Sequence, residues 1–242
     1  MAEPIIPSDA VQAIKDSVET KTIEVGGRAF VTRPVFKTPA KETANGLRVN
    51  TLQGIVDYFK SNVDTSKFED VILHIDGPTS VSLISGLFGR KQRETYLESS
   101  LSTLFGGEFK FGTYLDCETF IIGVRTLFDQ NDAAENVIKL VGNLTQGSEQ
   151  NSSDDGFSQT VTVKAGITRV EKAIVPNPVT LIPFRTFREV EQPSSSFILR
   201  LTGGEKPKAA LFEADGGQWK LEAIKNIKAF FDGKDLNIPI IC

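Results

Sequence analysis

Two glycines precede the only tryptophan in "ALFEADGGQWKLEAI", residues 210–224, between an apolar run and an amphipathic one. Such a strand–glycine–helix order can seat a phosphate, because the N–H groups of a helix start point at an anion. "ADGGQ", however, has neither the G-x-x-x-x-G-K-[ST] nor the G-x-G-x-x-G spacing of a nucleotide loop. Asp215 would repel an anion, and no lysine comes before Lys220. The structural reading accounts for every residue: Asp215 caps a helix, Gly216 and Gly217 supply left-handed backbone, and Trp219 covers the core or an interface edge.

His74, in "VILHID", is the single histidine. One histidine cannot build a multi-histidine metal centre, and no pattern pairs it with a serine or cysteine nucleophile. It shares a strand face with Asp76 only if the strand runs past Ile75. Asp76, Asp154, Asp155, Glu213 and Asp215 could meet around magnesium, but they follow no metal-binding motif and most fall in turns, where aspartate bonds locally. Cys117, near a helix start, has no basic partner to lower its pKa and is expected to be buried. No catalytic residue, metal site or cofactor is assigned.

Two stretches mix basic and aromatic residues. "LFGRKQRETY" gathers Arg90, Lys91 and Arg93 at a hairpin tip, and "PFRTFREVE" interleaves Arg185 and Arg188 with Phe184 and Phe187. Cations beside rings bind single-stranded nucleic acid through phosphate contact and base stacking. The alternative is a solvated turn and a strand whose phenylalanines are core. These five cations are the nucleic-acid-binding candidates.

The elements that must position them follow from periodicity and caps. A helix is expected in the first 20 residues, capped by Ser8, with Val11, Ile14 and Val18 on one face. "TIEVGGRAFVT" reads as a hairpin turning at Gly26-Gly27. "NTLQGIVDYFKSN" reads as a helix with Asn50 and Gln53 as a capping box. "VILHI", "TSVSLIS" and "RETYLESS" read as an antiparallel meander. Two helices follow, one capped by Asp116 and one opening with Asp132 and Glu135 at capping-box spacing. Then come the strands "SQTVTVKAG", "VTLIPFRTF", "SFILRLT" and "AALFEA". A last helix, about 218–231, turns Leu221, Ile224, Ile227 and Phe231 inward. The expected fold class is α+β: antiparallel strand groups with four to five helices packed on them. One domain spanning 1–242 is expected, with a mobile polar loop at 146–157.

The chain has 242 residues, 40% hydrophobic and 24% charged, with a net charge of −4. That balance predicts an ordinary globular protein and argues against broad electrostatic capture of nucleic acid, while leaving room for a local basic patch. No apolar run reaches the roughly 18 residues of a membrane helix. "MAEPIIPSDA" carries no basic leader or apolar core, and two cysteines make no disulfide framework, so a cytoplasmic location is expected.

"HIDGPTSVSLIS", "IKLVGNLTQ", "DDGFSQTVTVKAG", "VPNPVTLIPFRTFREVEQP" and "ALFEADGGQWKLEAIKNIKAF" together resemble the YfdQ-like family of phage and prophage proteins, a family of unknown function, over about residues 71–231. The resemblance implies action inside a bacterial host cell and carries no catalytic residues with it. The expectation is a non-enzymatic accessory protein of phage DNA metabolism (replication or recombination) that binds single-stranded DNA. The alternatives are a self-assembling homo-oligomer or a protein that engages a host or phage partner such as a defence factor, and, more weakly, a metal-dependent enzyme on nucleotides or nucleic acid. No membrane partner is expected.

Overall fold

The computed structural model describes residues 9–13, 22–25, 28–31, 45–64, 70–87, 91–101, 107–144, 159–164, 170–203 and 205–242. Where one domain is expected, contacts divide the chain into two units, residues 1–44 and 45–242. In the first, residues 9–13 are helical, and β1 (Thr22–Val25) and β2 (Arg28–Val31) pair antiparallel. Ser8, Ile14, Val18, the Gly26-Gly27 turn and the 146–157 loop lie outside the described residues.

The second unit is α+β and, among the described residues, holds two larger sheets, each with its own helices and core, and a two-stranded hairpin. In the first sheet β4 (Val71–Gly77), β5 (Ser80–Ser85) and β6 (Thr95–Ser100) form the expected antiparallel meander. The short strand β3 (Leu47–Val49) adds parallel to β6, and β13 (Ile240–Ile241) adds parallel to β4, giving the order β13-β4-β5-β6-β3. One face buries Val71, Leu73 and Ile75 with Val81, Leu83 and Leu97 beneath α1 (Leu52–Ser61) and α4 (Gln218–Asp232). Strand alternation leaves the other face half-exposed.

The second sheet has the order β10-β11-β12-β7 and is antiparallel throughout: β7 (Leu115–Asp116), β10 (Val179–Leu181), β11 (Ser195–Thr202) and β12 (Lys208–Glu213). Phe197, Leu199, Leu201, Ala209 and Leu211 face α2 (Cys117–Leu127) and α3 (Asp132–Gly142), around rings of Phe109, Phe120 and Phe128 packed edge to face. The hairpin of β8 (Thr160–Lys164) and β9 (Val170–Ile174) adds Val161 to this core. Beyond the end of β10, side-chain amides stand in for a missing strand. Gln159 exchanges two hydrogen bonds with the backbone of Leu201, and Asn177 does the same with Leu199.

Several local expectations shift by one residue. Thr51, not Asn50, caps α1, its Oγ1 accepting from Gly54 N–H at 3.1 Å, while Gln53 donates to Asp57. Asn131, not Asp132, caps α3, accepting from Ala134 N–H at 3.0 Å. Asp116 caps α2 as expected, accepting from Thr119 N–H at 2.9 Å. In α4, Ile227 and Phe231 are buried, but Leu221 is 72% exposed and Ala223 takes the inward position. Among the described residues no helix is long and apolar enough to cross a membrane.

Candidate functional site

"VTLIPFRTFREVEQP" is a strand only at Val179–Leu181; residues 183–193 then run without regular structure between the two cores. The segment is fixed by its own polar groups. Gln192 closes it on itself, its Oε1 accepting from Arg185 and Thr186 N–H while its Nε2 donates to the carbonyls of Phe187 and Val190. Phe184 N–H donates to Leu127 O on the side of one core, and Phe187 is fully buried in the other. Thr186 Oγ1 donates to Pro78 O, and the Glu189 carboxylate accepts from Leu52 and Gln53 N–H at 2.7 and 2.8 Å. An anion at those first amides of α1 is where a helix favours one.

Arg185 is an internal side chain, 9% exposed. Its Nη1 pairs with Glu213 and its Nη2 donates to Ser195 Oγ. The guanidinium lies 4.0 Å from the Trp219 ring centroid and 5.5 and 5.7 Å from those of Phe111 and Phe197. Burial pushes its pKa down, partly offset by the charges of Glu213 and Asp215. With its Nη donors engaged and its plane set on an indole, Arg185 cannot reach a phosphate backbone without leaving the core.

The glycine turn is architectural, with one change of role. Gly216 and Gly217 have φ of 63° and 82°, and Gly217 itself is the N-cap of α4, with no side-chain cap bond. Asp215 instead accepts from Gly217 N–H at 3.0 Å. Burial raises the Asp215 pKa, but the Ser195 hydroxyl, the Gly217 amide and the Arg185 charge together hold it below the usual carboxylate range. Its second oxygen is buried with no partner. Beside this turn opens a cleft of about 610 Å³, lined by Thr180, Ser196, Glu191, Asp215, Trp219 and Glu222 among others, and by no lysine or arginine.

The remaining candidates do not converge. Arg90, Asp154 and Asp155 lie outside the described residues. Lys91 and Arg93 are exposed, and Arg93 Nη1 donates to Ser85 O at 2.9 Å. Arg188 is exposed with its guanidinium 3.4 Å from the Phe184 ring centroid. Ser85 pairs with Val71 at one end of β4, whereas Pro78, held by Thr186, follows Gly77 at the other. Six residues of strand separate the ends, roughly 20 Å. Arg93 and the Arg188–Phe184 pair therefore stand at opposite ends of the sheet.

β4 does continue past Ile75, and His74 Nδ1 lies 2.8 Å from Asp76 Oδ1 on the open face. Ser82 spends its hydroxyl on Asp76 Oδ2 at 2.6 Å rather than on the imidazole. A nucleophile–base relay needs serine against histidine, and this arrangement runs both into the carboxylate. Glu213 is tied to Arg185 and Asp215 to its turn, and among the described residues no three His, Cys, Asp or Glu side chains group to hold a metal ion. Cys117 Sγ donates to Pro207 O at 3.3 Å, and burial, with the charge of Asp116, pushes its thiol up.

No family model, curated protein or solved structure matches this chain.

Proposed function

We propose that this protein works by binding, as an accessory protein of phage DNA metabolism inside the bacterial cell, and that its ligand is single-stranded nucleic acid. The observation that carries the reading is the surface pair of Arg188 and Phe184, a guanidinium stacked on a half-exposed ring. Such a pair offers a phosphate contact and a stacking face together. Lys91 and Arg93 add exposed cations at the other end of the five-stranded sheet, and the resemblance to the YfdQ-like phage family supplies the setting. Fluorescence polarisation of a labelled single-stranded oligonucleotide tests it: binding at low salt that weakens steeply as salt rises is expected. No binding at low salt overturns it.

A second reading, docking of a phage or host protein or of another copy, is favoured by isolated apolar side chains at the surface, Ile174 at 80% exposure and Leu221 at 72%. Light scattering over a concentration series decides whether copies associate, and Leu221→Glu should then disperse them.

A further inference from the structure

The cleft of about 610 Å³ beside the glycine turn has three walls, each placed by a different element. Thr180 and Ser196 stand opposite each other on β10 and β11, and alternation turns both outward from the buried Val179, Leu181 and Phe197. Trp219, Glu222 and Asn226 follow at i, i+3 and i+7 on α4, which puts them on one helix face. Glu191 and Ser194 come from the chain that leads into β11. Polar groups behind the walls hold them in place. Asn226 Nδ2 donates to Glu191 O at 3.0 Å, Gln192 closes its loop, and the Arg185 guanidinium lies over one face of the Trp219 ring. A second set of groups is not engaged. Among the described residues, the side chains of Thr180, Glu191, Ser194, Ser196 and Gln218 make no hydrogen bond within the chain, and all five line this one cleft.

We infer that this cleft binds a neutral saccharide, with a sugar ring against Trp219 and its hydroxyls on the unengaged side chains; the inference is independent of the nucleic-acid reading. The set of donors and acceptors selects this class. A carboxylate only accepts, a hydroxyl donates and accepts, and a primary amide does both at a fixed spacing, so the walls complement a ring of hydroxyls. The half-buried indole supplies flat apolar surface for the C–H face of that ring. An anion would meet Glu191, Asp215 and Glu222, with no lysine or arginine lining the cleft among the described residues. A cation fits less well than a neutral ring. The Arg185 charge already answers Asp215, Lys225 stands 3.9 Å from Glu222, and a cation stacked on the indole would share it with the guanidinium on its other face. The volume lies within the roughly 300–1,000 Å³ of small-ligand sites, and walls tied from behind leave little to order on binding.

Trp219 is the single tryptophan, so the site reports on itself in the full chain. Maltotriose, chitotriose and lactose are each titrated to about 10 mM while the emission is followed, with spermidine, uridine and thymidine monophosphate as comparison probes. At least one saccharide should shift the emission to the blue and saturate, because the sugar displaces water from the indole, and calorimetry should return the same Kd. For that saccharide, Glu191→Gln should weaken binding about tenfold, and Ser196→Ala combined with Gln218→Ala about as much, each checked for an unchanged melt. Where one variant lowers the melt, the other decides. Emission unmoved by all three saccharides overturns the inference, as does a response to spermidine, uridine or the nucleotide alone. Saccharide binding that the variants leave intact places the sugar elsewhere and overturns this cleft. Oligonucleotide binding is read separately by polarisation, so either reading can fail without the other.

Discussion

Arg185→Ala separates a side chain that builds the protein from one that touches a ligand. The substitution removes a charge-assisted bond to Glu213, a bond to Ser195, and a guanidinium 4.0 Å from the Trp219 ring centroid. Breaking a fully buried ion pair costs about 3–5 kcal/mol, but the Glu213 side chain is 40% exposed and water recovers part of that. A largely desolvated cation–π contact adds about 1–2 kcal/mol, and the lost stem leaves a gap between Phe111, Phe197 and Trp219. Against these, the unpartnered Nε ceases to be buried, which returns about 1 kcal/mol. The net expectation is a loss of about 3 kcal/mol, or a Tm lower by roughly 6–12 °C for a unit of this size. Differential scanning calorimetry reads the melt. The emission of the single tryptophan reads the cage directly, because removing the cation exposes the indole to water and shifts the emission to the red. Arg185→Lys should recover only part of the stability, since an ammonium cannot hold Glu213 and Ser195 at once while lying flat on the ring. A melt within 1 °C of wild type with unchanged emission would refute the assignment of Arg185 to the interior.

Other consequences follow from particular contacts. Gln159, 1% exposed, exchanges two bonds with Leu201, so Gln159→Ala should cost about 2–4 kcal/mol and speed amide exchange at Leu201, where a purely local role would leave that amide protected. The Tyr58 hydroxyl donates to Asp64 at 2.7 Å, and burial together with that carboxylate pushes its pKa up to about 12. A proton held more tightly in the folded state contributes stability that is complete below pH 10 and lost as pH rises through about 12. Ultraviolet titration should therefore find a late-ionising tyrosine that Tyr58→Phe removes. If the protein binds oligonucleotides as proposed, neutralising the cleft with Glu191→Gln and Glu222→Gln should tighten that binding about two- to threefold at low salt and not at high salt; equal affinity at both would detach the cleft from it.

The sequence reading fares best where one physical signal controls the outcome. The meander of β4, β5 and β6 is written in period-two alternation, and Asp116 sits with its carboxylate three residues ahead of the amide it caps. It slips by one residue where two capping side chains stand side by side, as at Asn50-Thr51 and Asn131-Asp132, because either fits the composition and only the backbone angles choose. Strands β3 and β13 are too short to show a pattern, and their pairing with β6 and β4 is parallel and distant in sequence, so only the folded sheet reveals them. The alternation of the four-stranded sheet is visible in "SFILRLT" as Ile198, Arg200 and Thr202 against Phe197, Leu199 and Leu201, but in "KAALFE" Phe212 ends a continuous apolar run that shows no period of two.

The segment 183–193 shows why a basic–aromatic stretch can read equally as an interface and as a joint. Alternating rings and cations satisfy both, since a joint between two cores also needs rings to bury and charges to answer carboxylates. What separates them is the set of partners supplied by distant parts of the chain. Arg185 meets Glu213 and Trp219, Thr186 meets Pro78, Phe187 enters the core beneath α1 and α4, and Glu189 meets the first amides of α1. Arg188 and Phe184 instead pair with each other, and Arg188 stays exposed. The clue in the sequence was Gln192 between Pro183 and Pro193: a side chain with two donors and an acceptor, bracketed by residues that cannot extend a central strand, is suited to closing an irregular loop on itself. Once that loop is closed, the direction of every side chain in it is set by the loop. One cation of the stretch becomes part of the core and the other is delivered to the surface already seated on a ring.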